Sequence, residues 1–245
     1  MTLPGWLAPV VEASSTITVH ELTRFMPPAD ADPRRSAVLM VFADRDGDVT
    51  GPDDLAHRGE LILTERNHHM RSHPGQVSFP GGSLDPGETA VEAALREAWE
   101  EIGLDPAEVE VFGELPELWL PPSNNAVTPV LGYWRDRSDV HIASPAEVHE
   151  IHHVAIADLL DPDNRIQVRH PSGWLGPGFL IGPDHDVILW GFTAGIIARL
   201  FSYLGWAEDW AEQPGGARVR DLPDHMLQGV PQNPRQAAPN TDLEE

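Results

Sequence analysis

The chain contains no cysteine and no lysine. The first absence excludes disulfides, thiolate metal sites and a cysteine nucleophile. The second leaves arginine as every one of the 16 basic residues, set against 39 acids for a net charge of −23. A surface of that sign repels nucleic acid and anionic membranes, and no run of arginines forms a local basic patch. Long hydrophobic runs are scarce too. The most apolar stretch, VILWGFTAGIIA (187–198), stops at Arg199 after 12 residues, short of the roughly 20 that a membrane span needs. At the N-terminus the first basic residue is Arg24, which does not fit a secretory signal. These absences predict a cytoplasmic protein with a small-molecule or cation partner, bound to neither nucleic acid nor membrane. A homodimer stays open.

What is present reads as one mixed domain. Residues 1–35 carry two short apolar patches and a linker-like PPADADPRR, an extension expected to dock on the body. Residues 36–210 form that body, and the chain from 211 to 245 turns to Gln, Pro, Asn and acids, which predicts a disordered tail. Removing 215–245 is expected to leave activity intact. Strand patterns fall at SAVLMVFA (36–43), LILT (61–64), QVSF (76–79), EVEVFGEL (108–115), AVTPVLGYW (126–134) and RIQVRH (165–170). VHEIHHVAI (148–156) is ambiguous, GFLIGPDHDVILW reads as a hairpin, and 191–205 as a helix. This order predicts an α/β or α+β fold with a mixed sheet between helices. The Asp- and Gly-rich loop 44–60 is not a calcium loop, because its glycine and final acid are misplaced.

A helix is predicted from Thr89, which makes a capping-box pair with Glu92, to Gly103, a C-terminal stop. Val91, Leu95, Ala98 and Ile102 form its apolar stripe, with Glu97 and Glu101 on the far flank. Its last turns read REAWEEIG (96–103). Acids at a helix C-terminus cost about 0.3–1 kcal/mol each, and Glu97 faces Glu101 as a like-charge pair. Only Arg96, four residues before Glu100, offsets them locally. A divalent cation reverses the sign of those terms, and oxygen-only ligation suits Mg²⁺ or Mn²⁺. The glycine-rich turn FPGGSLDPGE before the helix lets backbone approach a metal or a phosphate.

Gly82, Glu88, Arg96, Glu97, Ala98, Glu100, Glu101, Gly103 and Leu104 resemble the Nudix signature, G-x5-E-x7-R-E-U-x-E-E-x-G-U, with Ala98 small for a U position. The resemblance implies the Nudix fold and metal-dependent hydrolysis of a diphosphate linked to a nucleoside. It implies Glu97, Glu100 and Glu101 as metal ligands, assisted by the carbonyl of Gly82, and a structural Glu88–Arg96 pair. The segment LILTERNHHMRSHPGQVSFPGG (61–82) further resembles that of coenzyme A diphosphatases, with Met70 in place of the usual leucine. The substrate so implied is coenzyme A or a derivative, cut into 3′,5′-ADP and 4′-phosphopantetheine. ADP-ribose, NADH, a nucleoside triphosphate, and a non-catalytic nucleotide binder remain as alternatives. Arg66 and Arg71 are candidate phosphate partners, while His73 and Gln76 are as readily structural. The catalytic candidates are Arg96, Glu100 and Glu101, and the general base is left open among Glu100, Glu101, Glu147 and Glu150.

One motif competes. HEIHH (149–153) satisfies the H-E-x-x-H pattern of zinc proteases, but that chemistry needs a helix and a third ligand, and Ser144 and Pro145 before it and VAIADLL after it leave little room for a long helix centred on the motif.

Overall fold

The computed structural model describes residues 3–45, 59–70, 73–121, 123–135, 138–207 and 218–227. Its frame is β1 (Arg34–Asp44), an 11-residue strand that runs parallel to β7 (Asn125–Trp134) and antiparallel to β2 (Gly59–Arg66). β3 (Val77–Ser78) pairs with β2, and β4 (Gly81–Ser83) with β1. β5 (Val109–Glu114) and β6 (Leu118–Leu120) pair with β7, and β8 (Val148–Ala155) lies along β2. This is a mixed sheet with helices on both faces, the α+β architecture expected. A smaller sheet takes the order β11 (Val187–Leu189), β10 (Leu175–Ile181), β9 (Arg165–Arg169), β12 (Arg218–Asp221).

Side chains alternate along a strand, so β1 feeds two cores. Met40 and Phe42 join Leu61, Leu63, Leu131 and Val154 in one. That core is closed by α1 (Ala8–Thr16), α2 (Val19–Leu22) and α5 (Gly191–Tyr203), with Leu7, Val10, Ala13, Ile17 and Leu22 buried from the N-terminal segment. On the opposite face Leu39 and Val41 join Ile62, Val130 and Trp134 beneath α3 (Ala90–Ile102). A short α4 (Ile156–Leu160) follows β8. Among the described residues no helix is long and apolar enough to cross a membrane.

One ambiguity resolves and one expectation changes. The ambiguous 148–156 is a strand up to Ala155, because it pairs antiparallel with β2 and buries His152 and Val154 on either side of the exposed His153. H-E-x-x-H therefore lies on extended chain, and the helical protease geometry is absent. The tail, expected to be unstructured from 211, contributes β12, parallel to β9, and then Leu222 and Met226, which are buried with Ile166, Val168 and Trp190. All four β12 residues are exposed, so backbone pairing holds an edge that has no hydrophobic alternation to reveal it. Within the loop read against calcium binding, 46–58 lies outside the described residues.

Candidate active site

α3 begins as its sequence requires. The Thr89 side chain accepts from the Glu92 N–H at 3.2 Å, and the Glu92 carboxylate accepts from the Thr89 N–H at 2.8 Å. It ends at Gly103, whose φ of 67° is left-handed. The buried face differs from the predicted stripe. Its centre is Ala90, Ala93, Ala94, Ala98 and Ile102, with Val91 and Leu95 only partly covered. These alanines let the helix lie close on the sheet, and that approach turns Glu101 inward to 5% exposure instead of leaving it on the outer flank.

The seat of Glu101 is the glycine turn. Gly81 donates its N–H to Glu101 Oε2 at 3.2 Å. A Cβ on Gly81 would meet the Ala37 carbonyl oxygen at 2.3 Å, and one on Gly82 would meet Glu97 Oε1 at 2.3 Å. Gly81 must be bare for the strand to pass beside β1, and Gly82 must be bare for Glu97 to keep its place. Arg96 organises the remaining acids. It donates to both Glu88 oxygens, at 2.8 and 3.0 Å, to Glu97 at 2.9 Å, to Glu100 at 3.3 Å and to the Ser83 carbonyl at 3.1 Å. The Glu88 carboxyl is pulled down to about 2, first by Arg96 and then by the Asp85 N–H.

The last carbonyls of α3 are capped from a distance. The Ile102 carbonyl accepts from His141, and that of Glu101 from Ala143 and Ser144. The same connection continues to Glu147, whose own carbonyl accepts from the Asn67 N–H at 2.7 Å, while the Asn67 side chain donates to Pro145. Capping the helix thus brings a fourth acid to the site. Burial pushes the Glu101 carboxyl up to about 8; the Gly81 N–H and the Arg66 charge oppose this, and Glu97 and Glu147 add to it. Glu97 is raised as well, by burial first, against the pull of Arg96 and with Glu100 and Glu147 adding repulsion.

Arg66, at the end of β2, is therefore beside the acid face, and its Nε is buried with no hydrogen-bond partner. Arg71 lies outside the described residues. Burial and the Arg66 charge hold the His73 imidazole below its usual range against a hydrogen bond with Gln76, and its Nδ1 is unpartnered. Glu150 is not brought to the acid face: it lies with Glu65 and His152. Sequence reasoning missed the Gly81 N–H as an anchor for Glu101. The close approach that requires glycine at 81 was the available signal.

An oxygen-rich divalent cation fits these residues. The donors at the acid face are carboxylate and backbone oxygens, and a buried carboxyl held near 8 is one that a nearby cation would ionise. Arg96 holds one oxygen each of Glu97 and Glu100 while Glu101 turns one to Gly81, so each carboxylate keeps a second oxygen for a cation.

Comparison with known proteins places this geometry. The NUDIX domain family model matches residues 33–175, more than half of the chain. "Nudix hydrolase 3" of Caenorhabditis elegans is 35% identical over 60% of this chain and 57% of its own length. "Nudix hydrolase 15, mitochondrial" of Arabidopsis thaliana is 36% identical over 69% of this chain and 58% of its length. The "Uncharacterized Nudix hydrolase NudL" of Enterobacter sp. is 38% identical over 59% and 75%. The match thus spans under six tenths of the first two relatives. Among solved structures, a Nudix hydrolase from M. smegmatis, RenU, aligns with a TM-score of 0.44 at 18% identity over 71% of this chain and 87% of that one.

Proposed function

The chain belongs to the Nudix domain family, and from that premise we propose that it hydrolyses the diphosphate bond of coenzyme A or a coenzyme A derivative, with Mg²⁺ or Mn²⁺ bound at Glu97, Glu100, Glu101 and the Gly82 carbonyl. The observation that carries the hydrolytic reading is the gathering of Glu97, Glu101 and Glu147 around the Gly81–Gly82 turn with Arg66 beside them. The choice of coenzyme A rests on the likeness of residues 61–82 to that subfamily.

A divalent cation there would neutralise diphosphate charge and lower the pKa of water at neutral pH. The chain's own residues do the rest. Arg66 supplies a cation beside the acid face that can pair with a phosphate oxygen. Arg96 restrains Glu97 and Glu100 by direct hydrogen bonds and is itself held by Glu88, so it acts as a positioning residue. Glu147 stands on an exposed loop where its carboxylate can accept a proton from an attacking water. Glu101, shielded from solvent, can hold a proton at neutral pH when no cation is near. Of the four base candidates, Glu147 is the one this reading takes, since Glu150 lies with Glu65 and His152 and Glu100 is hydrogen-bonded to Arg96.

A hydrolysis panel read by mass spectrometry tests this reading. Coenzyme A, acetyl-coenzyme A, ADP-ribose, NADH and a nucleoside triphosphate are offered with Mg²⁺, with Mn²⁺ and with chelator. The expected products are 3′,5′-ADP and the phosphopantetheine half, formed only with metal. Glu147→Gln is expected to lower kcat by about 10²–10⁴-fold, the usual contribution of a general base, with metal affinity little changed. Cleavage of another nucleotide would keep the mechanism and replace the substrate; cleavage of none would leave a nucleotide-binding module.

A further inference from the structure

A second group of metal-ligating side chains lies apart from the acid face, and it comes from a fault in the pairing of β2 with β8. Glu65 pairs with Glu150 and Arg66 with Val148, so His149 is an extra residue with no partner on β2. In such a bulge two successive side chains face one residue of the neighbouring strand, and the extra one is re-aimed. Regular alternation would set His149 with Ile151, which packs towards α3. The bulge turns it instead to Glu65, which alternates with Leu61 and Leu63 of the opposite core. His68, from the loop after β2, completes the set.

One carboxylate oxygen of Glu65 and one ring nitrogen each of His68 and His149 lie within 4.8 Å of one another. Glu65 Oε1 is 3.0 Å from His68 Nε2, close to the roughly 3.0–3.4 Å edge between ligands about 2.1 Å from a common ion. The His68 and His149 rings are edge to face with centroids 4.6 Å apart. Glu65 Oε2 is engaged at 3.0 Å by Nε2 of the buried His152, which fixes the carboxylate as the outer partners of metal ligands do. Glu65 is itself buried, while His68 and His149 are exposed, leaving an open side for an ion to enter.

We propose that Glu65, His68 and His149 form a binding site for a borderline transition-metal cation of the Zn²⁺ class, distinct from the oxygen-only site on α3. Two imidazoles and one carboxylate suit Zn²⁺, Co²⁺ or Ni²⁺, whereas Mg²⁺ takes carboxylate and water oxygens. The two sites share no ligand. The H-E-x-x-H pattern contributes only its first histidine, since His153 Nδ1 lies 3.0 Å from Glu60. An ion here ties the 67–70 loop to β8, and so braces Arg66 at the junction of the two strands.

The test uses the full chain, stripped by chelator and dialysed against Co²⁺ in millimolar Mg²⁺, which fills oxygen-only sites. About one Co²⁺ per chain is expected to be retained, with the visible absorption of nitrogen-ligated cobalt, and Zn²⁺ is expected to displace it. His68→Ala and His149→Ala change exposed residues and should fold as the wild type by circular dichroism while weakening Co²⁺ binding by roughly tenfold or more. Glu65→Gln should weaken it likewise, and Glu100→Gln should not. No retained Co²⁺, retention equal in wild type and both histidine variants, or a loss confined to Glu100→Gln would each overturn the site.

Discussion

Glu101 holds its proton at pH values where an ordinary carboxyl has lost it. Burial raises it to about 8 from the usual 4.5, and the Gly81 N–H only partly offsets this. A carboxyl raised by folding binds protons more tightly in the native chain than in the unfolded one. Its contribution to stability is therefore full below 4.5 and is lost as pH climbs through about 8. In chelator, the wild type is expected to lose on the order of a few kcal/mol across that window. Glu101→Gln, which keeps the shape and cannot ionise, should lose much less. Urea unfolding at successive pH values reads the difference, and equal pH slopes for the two proteins would refute it. Divalent cation should flatten the wild-type curve by stabilising the ionised form.

The functional element is the pair made by the glycine turn and α3, and its two glycines differ in what they tolerate. A methyl at Gly82 meets the far end of the Glu97 side chain, which can move; a methyl at Gly81 meets the Ala37 backbone, which cannot. Gly82→Ala is thus expected to fold with a near-normal Tm and to bind Mn²⁺ at least tenfold more weakly. Gly81→Ala should lose about 1–3 kcal/mol, the range for forced overpacking. Manganese titration and thermal unfolding of the two variants check this, and a Gly82→Ala protein with unchanged affinity would count against the seat assigned to Glu97. This element was the most legible part of the sequence, because caps, glycine stop and acid spacing are local signals that survive in one dimension. The inward turn of Glu101 was not legible: it depends on how closely Ala93, Ala94 and Ala98 let the helix approach. β4, β6 and β12 escaped reading because strands of three or four residues owe their existence to the neighbour they pair with. His149 escaped because a bulge is a property of two strands together.

At the scale of the molecule, the segment 218–227 closes the small sheet. Leu222 and Met226 cover Ile166, Val168 and Trp190 on the small sheet, and fully burying such a side chain contributes about 1.5–3 kcal/mol. A chain ending at 227 is expected to match the full-length Tm, whereas one ending at 214 should lose roughly 3–5 kcal/mol and melt several degrees lower; thermal unfolding of the two truncations decides it. The other end has a different dependence. Trp6 and Ile156 so fill the space over Gly59 that a Cβ there would lie 2.7–2.9 Å from their side chains. Thr16 accepts from the Tyr203 hydroxyl at 3.0 Å. The seat of α1 and α2 is thus finished only by α5, near residue 200. During synthesis at about 5–20 residues per second, the N-terminal segment must wait on the order of ten seconds or more for that seat to exist. The apolar surface of α1 and α2, made well before α5, is therefore among the last to be covered, and it is the surface that a holding chaperone would meet.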